Sequence, residues 1–172
     1  MKNHKNSIKK DAISIFYSGL NECKPTESFS KKIKLRRVGE NKIIRISTTN
    51  FTLSPKGKVF VIGAGKASSH MAYYLEREIK DIISSGIVIT PYKYKKKCEK
   101  IKVLEASHPL PDRNGISHTN KIINLVQNCE KDDLVFFLLS GGASSLLVKP
   151  ANGIELEEKS WLTQNLLNAG AT

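Results

Sequence analysis

Residues 58–68 read KVFVIGAGKAS and decide the fold of this chain. The four consecutive apolar residues 59–62 predict a buried strand, and a turn with two glycines follows that strand directly. Apolar residues then recur at helical spacing from Ala67 to Ile83, which predicts a helix. A second apolar run at 87–89 predicts another buried strand, so this part of the chain forms one βαβ unit.

The same alternation of strand and helix continues toward the carboxyl end. We expect the first helix to stop at Gly86, because glycine commonly ends helices. The later elements are predicted as a strand at 101–106, a loop at 107–112, a helix at 116–129, a strand at 134–139 and a helix at 155–169. Because the strands are apolar on every side, they require helices on both faces of the sheet. The predicted fold class is α/β, a Rossmann-like three-layer sandwich with a mostly parallel sheet.

Residues 1–57 differ from the rest of the chain in charge and pattern. They carry 13 basic and 4 acidic side chains, against 15 and 12 in residues 58–172. One apolar stripe predicts a helix at 7–20 that packs on a neighbour, and alternation predicts a half-exposed strand at 42–47. We therefore expect a single domain over 1–172, with a basic lead-in followed by the Rossmann-like core.

The composition excludes several classes of protein. With 40% hydrophobic residues and three widely spaced cysteines among 172 residues, the chain is neither disordered nor a disulfide scaffold. The longest apolar run, 134–139, is far shorter than the roughly 20 residues that cross a bilayer. The amino-terminal segment lacks the small-residue cleavage site of a signal peptide. We therefore expect no membrane partner and a cytoplasmic location.

The net charge of +12 raises the question of nucleic-acid binding. Residues 92–97 read YKYKKK and interleave two aromatic side chains with lysines, a pattern that suits a nucleic-acid strand. The run contains no arginine and lies between two predicted strands, so a solvated loop is the favoured interpretation. Nucleic-acid binding stays a distant third hypothesis.

Gly63, Gly65 and Lys66 lie where a strand ends and a helix begins. Unpaired backbone N–H groups and the positive end of the helix macrodipole are expected there, which favours an anion. The sequence does not match the dinucleotide-binding fingerprint, because Ser68 replaces its third glycine and no acidic residue follows the next strand near Thr90. The P-loop pattern also fails. The alternative is that both glycines only form the turn and that Lys66 points to water.

A second glycine turn, SGGASS, follows the strand at 134–139. Adjacent glycines can direct successive amides at one point, and serine hydroxyls add donors, which predicts a phosphate or carboxylate cradle. The residues of this cradle are Ser140, Gly141, Gly142, Ser144 and Ser145. No glycine follows the serines, so the G-x-S-x-G pattern of a nucleophilic serine is absent. We expect both turns at the carboxyl edge of the sheet, where this architecture binds ligands.

The loop SHPLPD at 107–112 is the third candidate. Two prolines stiffen it, and His108 and Asp112 are the polar groups that it would hold in place. The alternative is structural: His108 caps the loop and Asp112 caps the helix that begins near Asn114. The other histidines show no metal-ligand spacing, so no metal site is predicted from the residues themselves.

Three of these segments together resemble the amino-terminal half of the glycerate 2-kinases that end in a MOFRL domain. They are GAGKA at 63–67, SHPLPD at 107–112 and LSGGASSL at 139–146. The resemblance implies transfer of phosphate from ATP, with Mg²⁺, to the 2-hydroxyl of glycerate or a related hydroxy acid. It implies a catalytic role for Lys66. From the residues themselves we expect cofactor binding by the two glycine turns and substrate binding by His108 and Asp112, and which turn takes the nucleotide phosphate and which the carboxylate of the acid stays open.

The resemblance also implies a two-domain protein whose active site lies in the cleft between the domains. On this reading, the chain is the amino-terminal domain and is inactive until the MOFRL domain is supplied in cis or in trans. The alternative is a non-catalytic remnant that binds a small phosphate or carboxylate ligand. If a natural neighbour is missing, the amino-terminal helix and the helix that carries Trp161 should expose apolar faces.

Overall fold

The computed structural model of the chain describes residues 2–24, 29 and 31–171, with side chains from residue 7 onward. A four-stranded parallel sheet has the strand order β6-β5-β4-β7, and a three-stranded antiparallel sheet has the order β1-β2-β3. In chain order the described elements are α1 (Lys2–Glu22), β1 (Ile33–Val38), β2 (Asn41–Ile46), β3 (Thr49–Leu53), β4 (Val59–Ala64), α2 (Ser68–Ile79), β5 (Ile83–Pro91), β6 (Ile101–Ala106), α3 (Arg113–Gln127), β7 (Leu134–Leu139), α4 (Ala143–Leu146) and α5 (Leu156–Asn168).

The parallel sheet is the middle layer of the predicted sandwich. Helix α2 packs on one face over Val61 and Val88, and helix α3 covers the other face near Ile89 and Ala106. Strand β4 leads into β5 through α2 and strand β6 leads into β7 through α3, whereas the loop at 92–100 joins β5 to β6. The predicted fold class, α/β with a parallel sheet between helices, is confirmed.

The boundary between α2 and β5 was predicted wrongly. Helix α2 ends at Ile79, a short 3-10 helix (Lys80–Ile82) follows, and β5 already begins at Ile83. Gly86 therefore lies inside β5 rather than at the end of a helix. A Cβ atom on Gly86 would lie 2.6 Å from the carbonyl oxygen of Val61, so this glycine allows the two strands to approach closely.

The antiparallel sheet formed by residues 33–53 shares the core of the parallel sheet. Its strand β2 confirms the strand expected at 42–47, but β1 and β3 were not predicted. Ile33, Ile44 and Leu53 are buried against α2 and the face of the sheet that α2 covers. Lys34 and Arg36 alternate with the inward Ile33 and Leu35 along β1, so these two charges lie on the outer face of a packed sheet.

Several apolar side chains that were expected to be buried are exposed. Strand β7 was predicted to be covered on both faces, yet Phe137 is 51% and Leu139 57% exposed, because β7 is at the sheet edge and α3 covers β5 and β6. The stripe of α1 was predicted to pack on a neighbour, but its apolar residues from Ile8 to Leu20 are exposed. Trp161 on α5 is 69% exposed; exposure of this helix and of α1 was predicted for the case that a neighbouring domain is missing. Among the described helices, none has the length and apolar character needed to cross a membrane.

Candidate functional site

The two glycine turns meet at the carboxyl edge of the sheet. Strands β4 and β7 are parallel neighbours, so the loops that follow them start side by side. The backbone N–H of Lys66 donates to the carbonyl oxygen of Gly141 at 2.9 Å, and the N–H of Ala67 donates to Ser140 Oγ at 3.0 Å. The expectation that both turns share one edge is confirmed.

The first turn has no free backbone donors for a ligand. Besides Lys66 and Ala67, the N–H of Gly65 donates to the carbonyl oxygen of Ile89 at 3.1 Å, and that of Ser68 to Gly65 at 3.2 Å. The expectation of unpaired amides at this turn is therefore wrong, because neighbouring backbone and Ser140 occupy them. A Cβ on Gly63 or Gly65 would collide with β7 or with Ser140, so both glycines serve close packing. Cofactor binding by Gly63 and Gly65 stays a prediction.

The second turn is open. Gly142 has φ +84°, a conformation that favours glycine, and it precedes the short helix α4 without any side chain capping that helix. Within the described part of the chain, the backbone N–H groups of residues 141–144 have no hydrogen-bond partner. Ser145 Oγ donates to the carbonyl oxygen of Gly142 at 3.1 Å and so stabilises the turn. Amides without a partner in the protein are the donors that an anion cradle requires.

The loop that carries His108 closes the site against the second turn. A Cβ on Gly142 would lie 2.5 Å from His108 Nε2 and 3.5 Å from Lys66 Cε, so both side chains lie against this glycine. Burial lowers the pKa of His108, and the Lys66 cation lowers it further. The imidazole is therefore neutral near pH 7 and can accept a proton or a hydrogen bond.

Asp112 is engaged in structural contacts. Its Oδ1 accepts the backbone N–H of Gly115 at 2.8 Å and so caps the amino end of α3. Its Oδ2 accepts the hydroxyl of Tyr92 at 2.6 Å, which raises the pKa of Tyr92, and Asn114 Nδ2 donates to the same hydroxyl. This is the capping role that sequence analysis left open. Substrate binding by Asp112 stays a prediction.

His108 separates two cavities. The first, which we call the tyrosine cavity, has a volume of about 210 Å³ and is lined by Lys66, Pro91, Tyr92, Tyr94, Ser107 and His108. The second, which we call the serine cavity, has a volume of about 340 Å³ and contains His108, Ser144, Ser145 and Lys159 in its lining. A larger apolar cavity of about 890 Å³ lies beside Trp161 and includes no residue of the three loops.

Tyr92, Tyr94 and Lys159 are among the residues of these cavities that were not identified from the sequence. Tyr92 and Tyr94 belong to the run interpreted as a solvated loop, and Lys159 is one lysine among many on an amphipathic segment. The only available signal for the tyrosines was their position directly after a strand, at the ligand-binding edge of the sheet. Lys159 reaches the site from α5, and no local pattern marks such a contact.

The effect of the Lys66 charge on the pKa of His108 should be measurable. We predict that Lys66→Met raises the pKa of His108 toward its ordinary value, since it removes the second of the two causes that lower it. Burial remains, so the pKa should stay below that value. An NMR titration of the imidazole C–H signals measures the change. Lys95→Met removes a charge that does not line the tyrosine cavity and should leave the titration unchanged.

Comparison with known proteins assigns the chain to a family. Residues 11–172 match a family described as Domain of unknown function (DUF4147). The chain belongs to this family. Among its relatives, a glycerate 2-kinase of Pyrococcus horikoshii is 37% identical over 150 residues, which are 86% of this chain and 32% of that protein. A protein of Agrobacterium vitis, provisionally named a hydroxypyruvate reductase, is 45% identical over 123 residues, 72% of this chain and 28% of that protein.

Two solved structures have the same fold as this DUF4147 chain. A crystal structure of a glycerate kinase from Thermotoga maritima matches with a TM-score of 0.75 and 30% identity, over 97% of this chain and 36% of that one. A second, of a Pyrococcus horikoshii protein, matches with a TM-score of 0.80 and 30% identity, over 96% and 36%. The chain thus spans about a third of the length of the relatives that it matches.

Proposed function

We propose that this DUF4147 chain is the amino-terminal part of a glycerate 2-kinase. Such an enzyme transfers phosphate from ATP to the 2-hydroxyl of glycerate or a related hydroxy acid. The observation that carries the proposal is the meeting of Lys66, His108 and the open Gly142 turn at one edge of the sheet. The names of the relatives support the same reaction.

Each group has a role in the proposed transfer. The amides of Gly141 and Gly142, with Ser144 and Lys159 in the serine cavity, bind phosphate oxygens of ATP. The Lys66 ammonium stabilises negative charge on the migrating phosphoryl group. The 2-hydroxyl oxygen forms the new bond to phosphorus, the bond to ADP breaks, and the neutral imidazole of His108 accepts the hydroxyl proton.

The described residues do not form a site for a metal held by protein alone. Among them, no group of three or more His, Cys, Asp or Glu side chains is placed to hold a metal ion, and both carboxylate oxygens of Asp112 are engaged. Mg²⁺ is commonly bound by one or two carboxylates together with substrate phosphates. The resemblance implies Mg²⁺, but no step of the proposed transfer depends on these residues binding it.

The reductase name of one relative suggests a second reaction, which the site does not favour. A hydride-transferring dehydrogenase of this architecture binds a dinucleotide pyrophosphate at the first βα turn. In this chain the amides of that turn are paired internally. Strand β5 ends in Thr90-Pro91, so no acidic residue is present there to bind a ribose.

The remaining proposals concern partners. Because the chain spans about a third of its relatives, we propose that a MOFRL domain, in cis or in trans, completes the active site. A chain that binds the ligand without turnover is the alternative. The lysine-rich loop gives little support to nucleic-acid binding, since Lys96 lies over the rings of Tyr73 and Tyr74.

A pair of glycine substitutions tests the proposed phosphate site. Gly142→Ala places a methyl group 2.5 Å from His108 Nε2, whereas Gly153, with a similar φ of +85°, has no atom within 4 Å of its Cβ position. Each substitution should cost about 1–2 kcal/mol of stability from the left-handed backbone alone. We predict that Gly142→Ala weakens ATP binding about ten-fold or more in isothermal titration, as loss of charge-assisted hydrogen bonds does.

Gly153→Ala is the matched control and should bind ATP as the unsubstituted chain does. Equal ATP affinity in the two variants, or no ATP binding by the unsubstituted chain, would contradict the proposed function. A coupled kinase assay on the same samples distinguishes the two candidates. Binding with turnover supports a kinase, and binding without turnover supports either a kinase part that needs its second domain or a binding remnant.

A further inference from the structure

The tyrosine cavity has a size that suits one kind of ligand. Its volume of about 210 Å³ is below the roughly 300–1,000 Å³ of sites for drug-sized molecules. A nucleotide exceeds this space, whereas an acid of three or four carbons fits within it. We propose that this cavity binds the acceptor, a small 2-hydroxy carboxylic acid, and that Tyr94 limits the acceptor's size. This inference rests on the proposed kinase function.

The lining of the cavity matches the groups of such an acid. Lys66 has no carboxylate partner among the described residues, so its charge is free to attract a carboxylate or a phosphoryl group. Ser107 and the neutral imidazole of His108 offer hydrogen bonds to hydroxyl groups. The hydroxyl of Tyr92 is occupied by Asp112 and Asn114, so Tyr92 contributes its ring as an apolar wall.

The wall that carries the tyrosines is held in place before a ligand binds. The N–H of Tyr94 donates to the carbonyl oxygen of Pro91 at 3.1 Å and closes a tight turn. The N–H of Lys93 donates to Glu105 Oε1 on the neighbouring strand at 2.7 Å. Together with the contacts of Tyr92, these bonds hold the backbone that carries both tyrosines. A wall that is positioned in advance favours discrimination by ligand size.

The position of the cavity suits an acceptor. Lys66 lines the tyrosine cavity and lies close to Gly142, while His108 lines both cavities. A hydroxy acid in the tyrosine cavity and a phosphate in the serine cavity would therefore be neighbours, with His108 lining both sites. In-line transfer requires the acceptor hydroxyl to reach the phosphorus atom directly, and the two ligands would have to meet beside Lys66 and Gly142.

Substitution of Tyr94 tests the inference on the chain as it exists. The probe is D-glycerate, titrated into ¹⁵N-labelled protein, and the readout is the set of amide shifts and the Kd. We expect shifts at Tyr92, Tyr94, Ser107 and His108. Tyr94→Trp enlarges the ring and should weaken glycerate binding about ten-fold or more, because small differences in volume have effects of that order in tight pockets.

Two further variants make the result specific. Tyr17→Trp is the same chemical change at a residue with similar exposure, 56% against 52% for Tyr94, and it should leave the Kd for glycerate unchanged. Tyr94→Ala should admit a larger 2-hydroxy acid that the unsubstituted chain rejects. ATP titrated into the same proteins should bind all three variants as it binds the unsubstituted chain.

The outcomes separate this inference from the proposed function. Three results, each with ATP still bound, would show that the acceptor pocket is wrong while the phosphate site stands. Glycerate does not bind, glycerate shifts only the amides of residues in the serine cavity, or glycerate binds Tyr94→Trp with an unchanged Kd. If Tyr94→Trp loses ATP binding, the cavity holds nucleotide and the inference is wrong. If ATP fails to bind the unsubstituted chain, the proposed function itself falls.

Discussion

Replacing Lys66 with Met is expected to lower the rate of phosphoryl transfer by about a thousand-fold. The side chain lies against Gly142, in the proposed phosphate site, and lines the tyrosine cavity. A preorganised cation at that point stabilises the charge that develops during transfer, and single groups of this kind contribute roughly 3–4 kcal/mol. Methionine has a similar length and no charge, so the change removes the electrostatic contribution and keeps most of the volume.

The measurement needs a protein that can complete the site. We would join this chain to the part of the Pyrococcus horikoshii glycerate 2-kinase that it does not match and measure kcat in a coupled ADP assay. Lys95→Met removes a charge that is also exposed, from the lysine-rich loop, and is the control. Lys66→Arg keeps the charge and should retain part of the rate. A kcat unchanged by Lys66→Met would remove this lysine from the mechanism.

The order of the core elements could be predicted from local pattern alone. Strands β6 and β7 were predicted with their observed bounds, and β4 within two residues, because continuous apolar runs between turns have few alternatives. Local pattern failed where one signal has two physical causes. Gly86 could end a helix or allow close approach of strands. The exposed Phe137 shows that an apolar run identifies a strand but does not show whether both faces of that strand are covered.

The candidate site could be predicted in part for a similar reason. Glycine turns after parallel strands must lie at one edge, so the meeting of Lys66 with the Gly142 turn followed from topology. Topology did not show which turn has free amides. That depends on the acceptors that the second turn offers to the first, the carbonyl oxygen of Gly141 and Ser140 Oγ. Lys159 was missed because its place depends on how α5 packs over residues distant in sequence.

The lysine-rich loop depends on one buried carboxylate. Glu76 on α2 is only 6% exposed, and it accepts hydrogen bonds from three successive backbone amides where the loop enters β6. Oε1 accepts the N–H of Glu99 at 2.7 Å, and Oε2 accepts those of Lys100 at 2.9 Å and Ile101 at 3.1 Å. An acceptor that satisfies three amides at once is costly to remove, because each buried donor left unpaired costs about 1–3 kcal/mol.

We predict that Glu76→Ala lowers the free energy of unfolding by about 3 kcal/mol, since part of the loop can still reach water. Urea denaturation measures this loss, and hydrogen exchange should show the amides of residues 99–101 losing protection before the rest of the sheet. Glu78→Ala on the same helix is the matched control. Glu78 forms an ion pair with the half-exposed Lys34 at 3.3 Å, so its loss should cost less than about 1 kcal/mol.

The same variant connects stability to the site. The loop anchored by Glu76 begins at Tyr92. Its residues Tyr92 and Tyr94 form the wall of the tyrosine cavity. If the anchor maintains that wall, Glu76→Ala should weaken glycerate binding while ATP binding at the Gly142 turn stays unchanged, although Glu76 lines neither cavity. Equal losses of stability in Glu76→Ala and Glu78→Ala would mean that the three amides find other acceptors. The loop would then owe its order to the turn at Pro91 and the contact of Lys93 with Glu105.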